Sequence, residues 1–147
     1  MSEPVNSSIP APPVDRRQVA WDHRDVRALA NLHAEDGVVE SLMAGTVTGR
    51  PAIGEVYRAW LAAFPDVVVT ADDLLIDALR VAQTETHTGT DIGGFMGLPP
   101  TGKPFRLPIV HLYQLQDGHI LHERRIYDFT GLLVQIVNVL GDNRMQQ

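Results

Sequence analysis

The chain has 147 residues, of which 44% are hydrophobic and 20% charged, with a formal net charge of −6 and no cysteine. A single domain of this size buries roughly two-thirds of its unfolded surface without metal or disulfide support. The missing cysteines exclude disulfide frameworks, thiol nucleophiles and thiolate metal sites, and one lysine (Lys103) against eleven arginines in an acidic chain excludes a nucleic-acid binder's basic face.

No run approaches the roughly 20 apolar residues of a membrane span. No charged start followed by an apolar stretch suggests a signal peptide, so the expected location is cytoplasmic.

Residues 1–13 hold four of the ten prolines and few large aliphatic side chains, which predicts a disordered or loosely docked tail before one domain over 14–147. Asp15 is placed to cap a short helix to about Asp22. Asp25 can cap a second, with Val26, Leu29, Ala30 and His33 on one stripe and Gly37 ending it. Val38 to Ala44 reads as a short strand before a Gly45/Gly49 turn. Pro51 then opens the strongest helix signal, Ile53, Tyr57, Trp60, Leu61 and Phe64 at three- and four-residue spacing.

The second half changes period. Residues 67–76, 79–90, 105–116 and 119–129 read as four strands, with Asp77-Ala78 and Asp117-Gly118 as hairpin turns. The stretch 93–103 between the middle two is too rich in Gly and Pro for regular structure. Leu132, Leu133, Ile136, Val137 and Leu140 form one face of a closing helix. Helices followed by a strand meander make an α+β arrangement, with helices on one face of an antiparallel sheet.

Gly97 to Lys103 spells G-x-x-x-x-G-K. Pro104 stands where a phosphate loop needs Ser or Thr, and a strand follows where it needs a helix, so the loop reads as a connection. The six histidines show no metal spacing, and no metal is expected. His33 and His111 differ from the others because each lies on an apolar stripe, for His111 that of Phe105, Leu107, Ile109, Tyr113 and Leu115. Either is a buried histidine with one hydrogen bond or a polar group lining a pocket.

Asp128 ends the last strand directly before an apolar helix. Counting back by twos puts Ile126, Arg124, His122 and Ile120 on its face. On a covered, concave face, desolvation would raise its pKa and make it a general acid or base, with Arg124 opposing the shift. The alternative is a helix cap, by Asp128 or Thr130.

The stretch from Trp21 to Leu140 resembles the SnoaL-like polyketide cyclases of the nuclear-transport-factor-2-like superfamily. The resemblance rests on segments in order: 25–36 with its trailing Glu-Asp-Gly; Gly49-Arg50-Pro51-Ala52-Ile53; Ala63-Phe64-Pro65-Asp66; Gly89-Thr90 and the glycine- and proline-rich 94–103; Asp117-Gly118-His119-Ile120; and 123–136. It implies a cystatin-like α+β cone, with a curved antiparallel sheet wrapped around helices and a deep central pocket. It also implies a cofactor-free homodimer through the sheet that takes a small apolar ligand or substrate. In these cyclases an aspartate matching Asp128 is the acid/base of an aldol ring closure. His111 and Arg124 join it here as catalytic candidates, and Tyr57, Trp60, His33, Asp91, Phe95 and Tyr113 as the expected pocket.

One departure stands out: Gly89-Thr90 is followed by Asp91 where many relatives have His. With Asp91 inward, two carboxylates and Arg124 would resemble the Asp–Arg–Asp group of limonene epoxide hydrolases, which makes hydrolysis the alternative reaction. A non-catalytic ligand-binding module is the alternative of another class, and a solvated loop residue is the plainer reading of Asp91.

Overall fold

The computed structural model describes residues 11–137. Among them are four helices, α1 (Ala11–Asp22), α2 (Val26–Asn31), α3 (Arg50–Ala63) and α4 (Phe129–Ile136). Six strands complete the fold: β1 (His33–Ser41), β2 (Gly45–Thr48), β3 (Val68–Asp77), β4 (Arg80–Thr90), β5 (Pro104–Gln116) and β6 (His119–Ile126). They form one curved sheet in the order β2-β1-β6-β5-β4-β3. All pairs are antiparallel except β1–β6, which is parallel because β1 enters from α2 and runs alongside the last strand.

The period-two pattern of the second half becomes alternating burial. On β5, Phe105, Leu107, Ile109, His111, Tyr113 and Leu115 all face inward. The register carries that choice to β4, where His87, Glu85, Gln83 and Val81 pair with Leu107, Ile109, His111 and Tyr113 and are buried too. The apolar stripe of α3 (Ile53, Tyr57, Trp60) packs on this inner face, joined by Leu29, Phe64, Leu132 and Ile136. No helix of the described residues is long and apolar enough to cross a membrane.

Three expectations need correction. The second helix stops at Asn31, so His33 opens β1 instead of closing a helical stripe. Gly37 lies within β1, not at a helix end; a Cβ there would stand 3.0 Å from the Ala34 carbonyl oxygen and 3.1 Å from that of Ile120. The spacing Val26, Leu29, Ala30 is a single turn, too short to tell where the helix gives way. The first helix begins at Ala11, which leaves prolines 12 and 13 in its opening turn, where a missing N–H costs little. Residues 1–10 and Leu140 lie outside the described residues.

The Gly- and Pro-rich connection is organised by Asp91, which is 2% exposed. Its Oδ1 accepts the Gly94 amide at 3.0 Å, and its Oδ2 accepts the Thr101 amide at 3.1 Å and the Thr101 hydroxyl at 3.0 Å. Gly93 passes so close to α3 that a Cβ would lie 1.9 Å from the Ala62 carbonyl oxygen. Asp91 is therefore neither a solvated loop residue nor a pocket group. Replacing it with alanine strands the Gly94 and Thr101 amides, while the Thr101 hydroxyl keeps the Ile136 carbonyl as an acceptor, and the expected loss is about 2–4 kcal/mol of stability in urea denaturation. A loss below about 1 kcal/mol would contradict this role.

Candidate functional site

Charged residues crowd the centre of the inner face. Arg17 reaches in from α1 and is 1% exposed. Its Nε donates to Glu85 Oε2 at 2.8 Å and its Nη1 to the Tyr57 hydroxyl at 3.2 Å. His111 stands between two carboxylates, with Nε2 2.8 Å from Glu85 Oε1 and Nδ1 2.6 Å from Glu123 Oε2. Arg125 Nε donates to the same Glu123 oxygen at 2.9 Å, and its guanidinium lies 4.6 Å above the Tyr57 ring.

Burial is the largest influence on both carboxyls and would raise them. It is outweighed at Glu85 by Arg17 and then His111, and at Glu123 by Arg125, Arg17 and His111, so both are held well below the usual carboxylate range. With both glutamates ionised, each short contact to His111 needs a proton between its atoms. The hydrogen-bonding partners thus assign a proton to each ring nitrogen. Arg17 Nη2, 3.3 Å from His111 Nε2, converges with it on Glu85 Oε1.

The other two buried histidines are neutral. Burial lowers His87, against the pull of Glu85. Burial takes His33 down to about 3, although Glu123 opposes the shift. His33 Nε2 lies 2.8 Å from the Tyr57 hydroxyl, while its Nδ1 has no partner among the described residues.

Glu85, His87 and His111 bring three ligand atoms within 4.8 Å of one another, the donor set of a possible metal site. Trp60 argues against that use. Its indole, a donor only, gives its N–H to His87 Nδ1 at 3.1 Å, so the ring proton sits on Nε2 and is directed to Glu85 Oε1 at 3.2 Å. A metal-bound histidine needs the reverse, a bare Nε2 and an acceptor facing Nδ1. Arg17 also already supplies a cation to Glu85.

Beside this cluster is a cavity of about 30 Å³, room for one or two waters. Arg17, Trp21, Tyr57, Trp60, His87, His111, Arg125, Ser41 and Tyr127 line it with Met43, Val56 and Ile109. The indole N–H of Trp21 has no partner among the described residues.

The candidate residues from the sequence are distributed unevenly about this centre. Tyr57, Trp60 and His111 border the cavity, and His33 stands behind Tyr57. Tyr113 lies below Arg17, 5.7 Å from ring centre to guanidinium, and donates to Gln83 at 3.1 Å. Phe95 is buried in an aromatic group, stacked 5.3 Å from Phe64, and does not line the cavity.

Asp128 is exposed at the N-cap of α4, where its carboxylate accepts the Gly131 amide at 2.8 Å. Strand β6 ends at Ile126, two residues before Asp128, and Arg124 and Ile126 lie on the exposed outer face of that strand. Arg124 points away from the cavity, 55% exposed and 3.8 Å from Glu40. The Asp–Arg–Asp group is therefore not assembled. A bulge at Leu121 sets Ile120 on the opposite face, and beyond it Glu123 and Arg125 are the inward pair. Arg17, Glu85, His87, Glu123 and Arg125 were the residues missed in the sequence.

The sequence matches the family model described as SnoaL-like polyketide cyclase over residues 14–136. The chain belongs to the SnoaL-like polyketide cyclase family. A candidate SnoaL-like polyketide cyclase from Jannaschia sp. CCS1 superposes with a TM-score of 0.77 at 19% identity, covering 88% of this chain and 94% of that one. A Catenulispora acidiphila protein with a ketosteroid isomerase-like fold, crystallised with trimethylamine, gives 0.72 at 24% identity over 84% and 90% of the two chains. IdmH, a candidate polyketide cyclase from Streptomyces antibioticus, gives 0.71 at 27% identity over 86% and 97%. No curated protein matches the sequence significantly. These SnoaL-like neighbours share the α+β cone of the nuclear-transport-factor-2 type.

The neutral His33 makes stability depend on pH. Its folded value of about 3 lies below the unfolded 6.5, so the unfolded chain takes up the proton first. Its contribution is complete above about pH 6.5 and drains as pH falls toward 3. Between pH 7 and 5 the loss from this side chain is about 2 kcal/mol, read as a falling denaturation midpoint. In His33→Asn the slope should become shallower by about that amount; an unchanged slope would contradict a neutral buried ring.

Proposed function

We propose that this SnoaL-like protein is a cofactor-independent acid/base enzyme, of aldol cyclase or isomerase type, acting on a small apolar carbonyl compound. The observation that carries the reading is His111, held between Glu85 and Glu123 at the edge of a cavity walled by Trp60, Ile109 and Val56. Desolvated, pre-oriented donors stabilise charge developing on a carbonyl oxygen far better than water does.

In the first step the Nε2 proton of His111 passes to the substrate carbonyl oxygen. Glu85 keeps Arg17 and His87 as donors when the ring turns toward the substrate. The neutral ring, still anchored by Nδ1–H to Glu123, then accepts a proton from the α carbon, and the carbonyl becomes an enol. In a cyclase the enol carbon attacks a second carbonyl carbon; the new alkoxide takes up one proton and the enol oxygen sheds one. Apart from the C–C bond that a cyclase forms as the second C=O opens to an alkoxide, only protons move, and a single side chain balances them. Tyr57, polarised by Arg17, is the second donor to the oxygen.

Asp128 acts in this reading as a helix cap. Enzyme-catalysed exchange of the α protons of 2-acetylcyclohexanone in D₂O, followed by NMR, separates the two candidates. His111→Gln should lower the rate at least about a hundredfold, whereas Asp128→Asn, which can still cap the helix, should stay within about threefold of wild type. The reverse ranking would return the chemistry to Asp128, and exchange at the background rate in wild type would leave the cavity a binding site alone.

A further inference from the structure

The charges around the cavity do not cancel. Arg17, Arg125 and the doubly protonated His111 are three cations, and they face two carboxylates, Glu85 and Glu123. The arrangement is also one-sided. Arg17, Arg125 and His111 line the cavity, whereas neither glutamate does. Among the other polar groups on the wall, the Tyr57 hydroxyl is a further donor, whereas the Nε2–H of His87 is already given to Glu85 Oε1. Trp21, also on the wall and 4% exposed, has an indole N–H that finds no acceptor among the described residues.

An uncompensated charge in a desolvated site is costly, and an unmatched buried donor adds to the cost. A ligand that brings a negative charge and acceptor oxygens relieves both. A neutral ketone relieves only the second.

We propose that the cavity is an anion-recognition site, taking the carboxylate or acidic enolate end of its substrate between Arg17 and Arg125, with the apolar remainder of the molecule outside it. The size of the cavity fits this division. About 30 Å³ holds the polar end of a molecule and not a whole ring system. The proposal rests on the acid/base reading above and narrows its substrate class to a carbonyl compound that is anionic near neutral pH.

The test compares benzoate with benzamide, which share a shape and differ in charge, at fixed ionic strength. The chain has two tryptophans, and both line the cavity, so their two indole N–H signals report occupancy directly in a ¹H–¹⁵N spectrum. Benzoate should shift them with at least tenfold tighter apparent affinity than benzamide. In Arg125→Gln that preference should fall below about threefold, with Arg125→Lys retaining part of it. Equal affinities, no shift with benzoate to 20 mM, or a preference that survives in a folded Arg125→Gln would each overturn the proposal.

Should Arg125→Gln not fold, the wild-type comparison decides alone. Binding needs no turnover, so a protein that prefers benzoate yet exchanges no α protons would keep this inference and lose the acid/base reading.

Discussion

His111, fixed between two buried carboxylates, is the constraint on which the rest of the site depends. Ionised glutamates do not survive burial alone, because desolvation penalises the charge by several kcal/mol unless donors replace water. Here each carboxylate has its own guanidinium, Arg17 for Glu85 and Arg125 for Glu123, and the imidazole joins the two pairs into one network. Removal of any one member leaves a buried charge without its partner, typically a loss of 3–5 kcal/mol. The network also ties together α1, β4, β5 and β6, so the fold and the site rest on the same contacts.

Trp60 contributes in a second way. Beyond packing against Phe64 at 4.9 Å, its indole fixes the proton of His87 on Nε2. That choice turns His87 into a donor toward Glu85 and removes the lone pair a metal would bind. One hydrogen bond from a core tryptophan thus decides the chemical character of its neighbour, and it favours proton transfer over metal chemistry. His33 and Tyr57 extend the network to β1 and α3, with the phenol poised between Arg17 and a neutral imidazole.

Most of the fold is legible in the sequence because its signals are local and repeated. The α3 stripe, the Asp117-Gly118 hairpin and the alternation on β5 each have a period that a single face explains. The site is less legible because its strands lack contrast. Residues 83–88 and 122–125 are polar at every position, so alternation alone does not show which face is buried. For β4 a signal does exist: pairing with the apolar face of β5 places Glu85 and His87 inward. For β6 the same step fails, because the bulge at Leu121 shifts parity by one after Leu115–Ile120, and Arg124 takes the outer position that simple counting assigns to Arg125. Arg17 could not be seen at all, since nothing local marks a helical arginine as one that reaches 68 residues along the chain to a carboxylate.

The central claim is the protonation pattern of this network, and ¹⁵N NMR of histidine-labelled protein at pH 7 tests it directly. The account predicts that both ring nitrogens of His111 carry protons, whereas His33 and His87 each carry one, with that of His87 on Nε2. A singly protonated His111, with Glu85 and Glu123 both ionised, would contradict it.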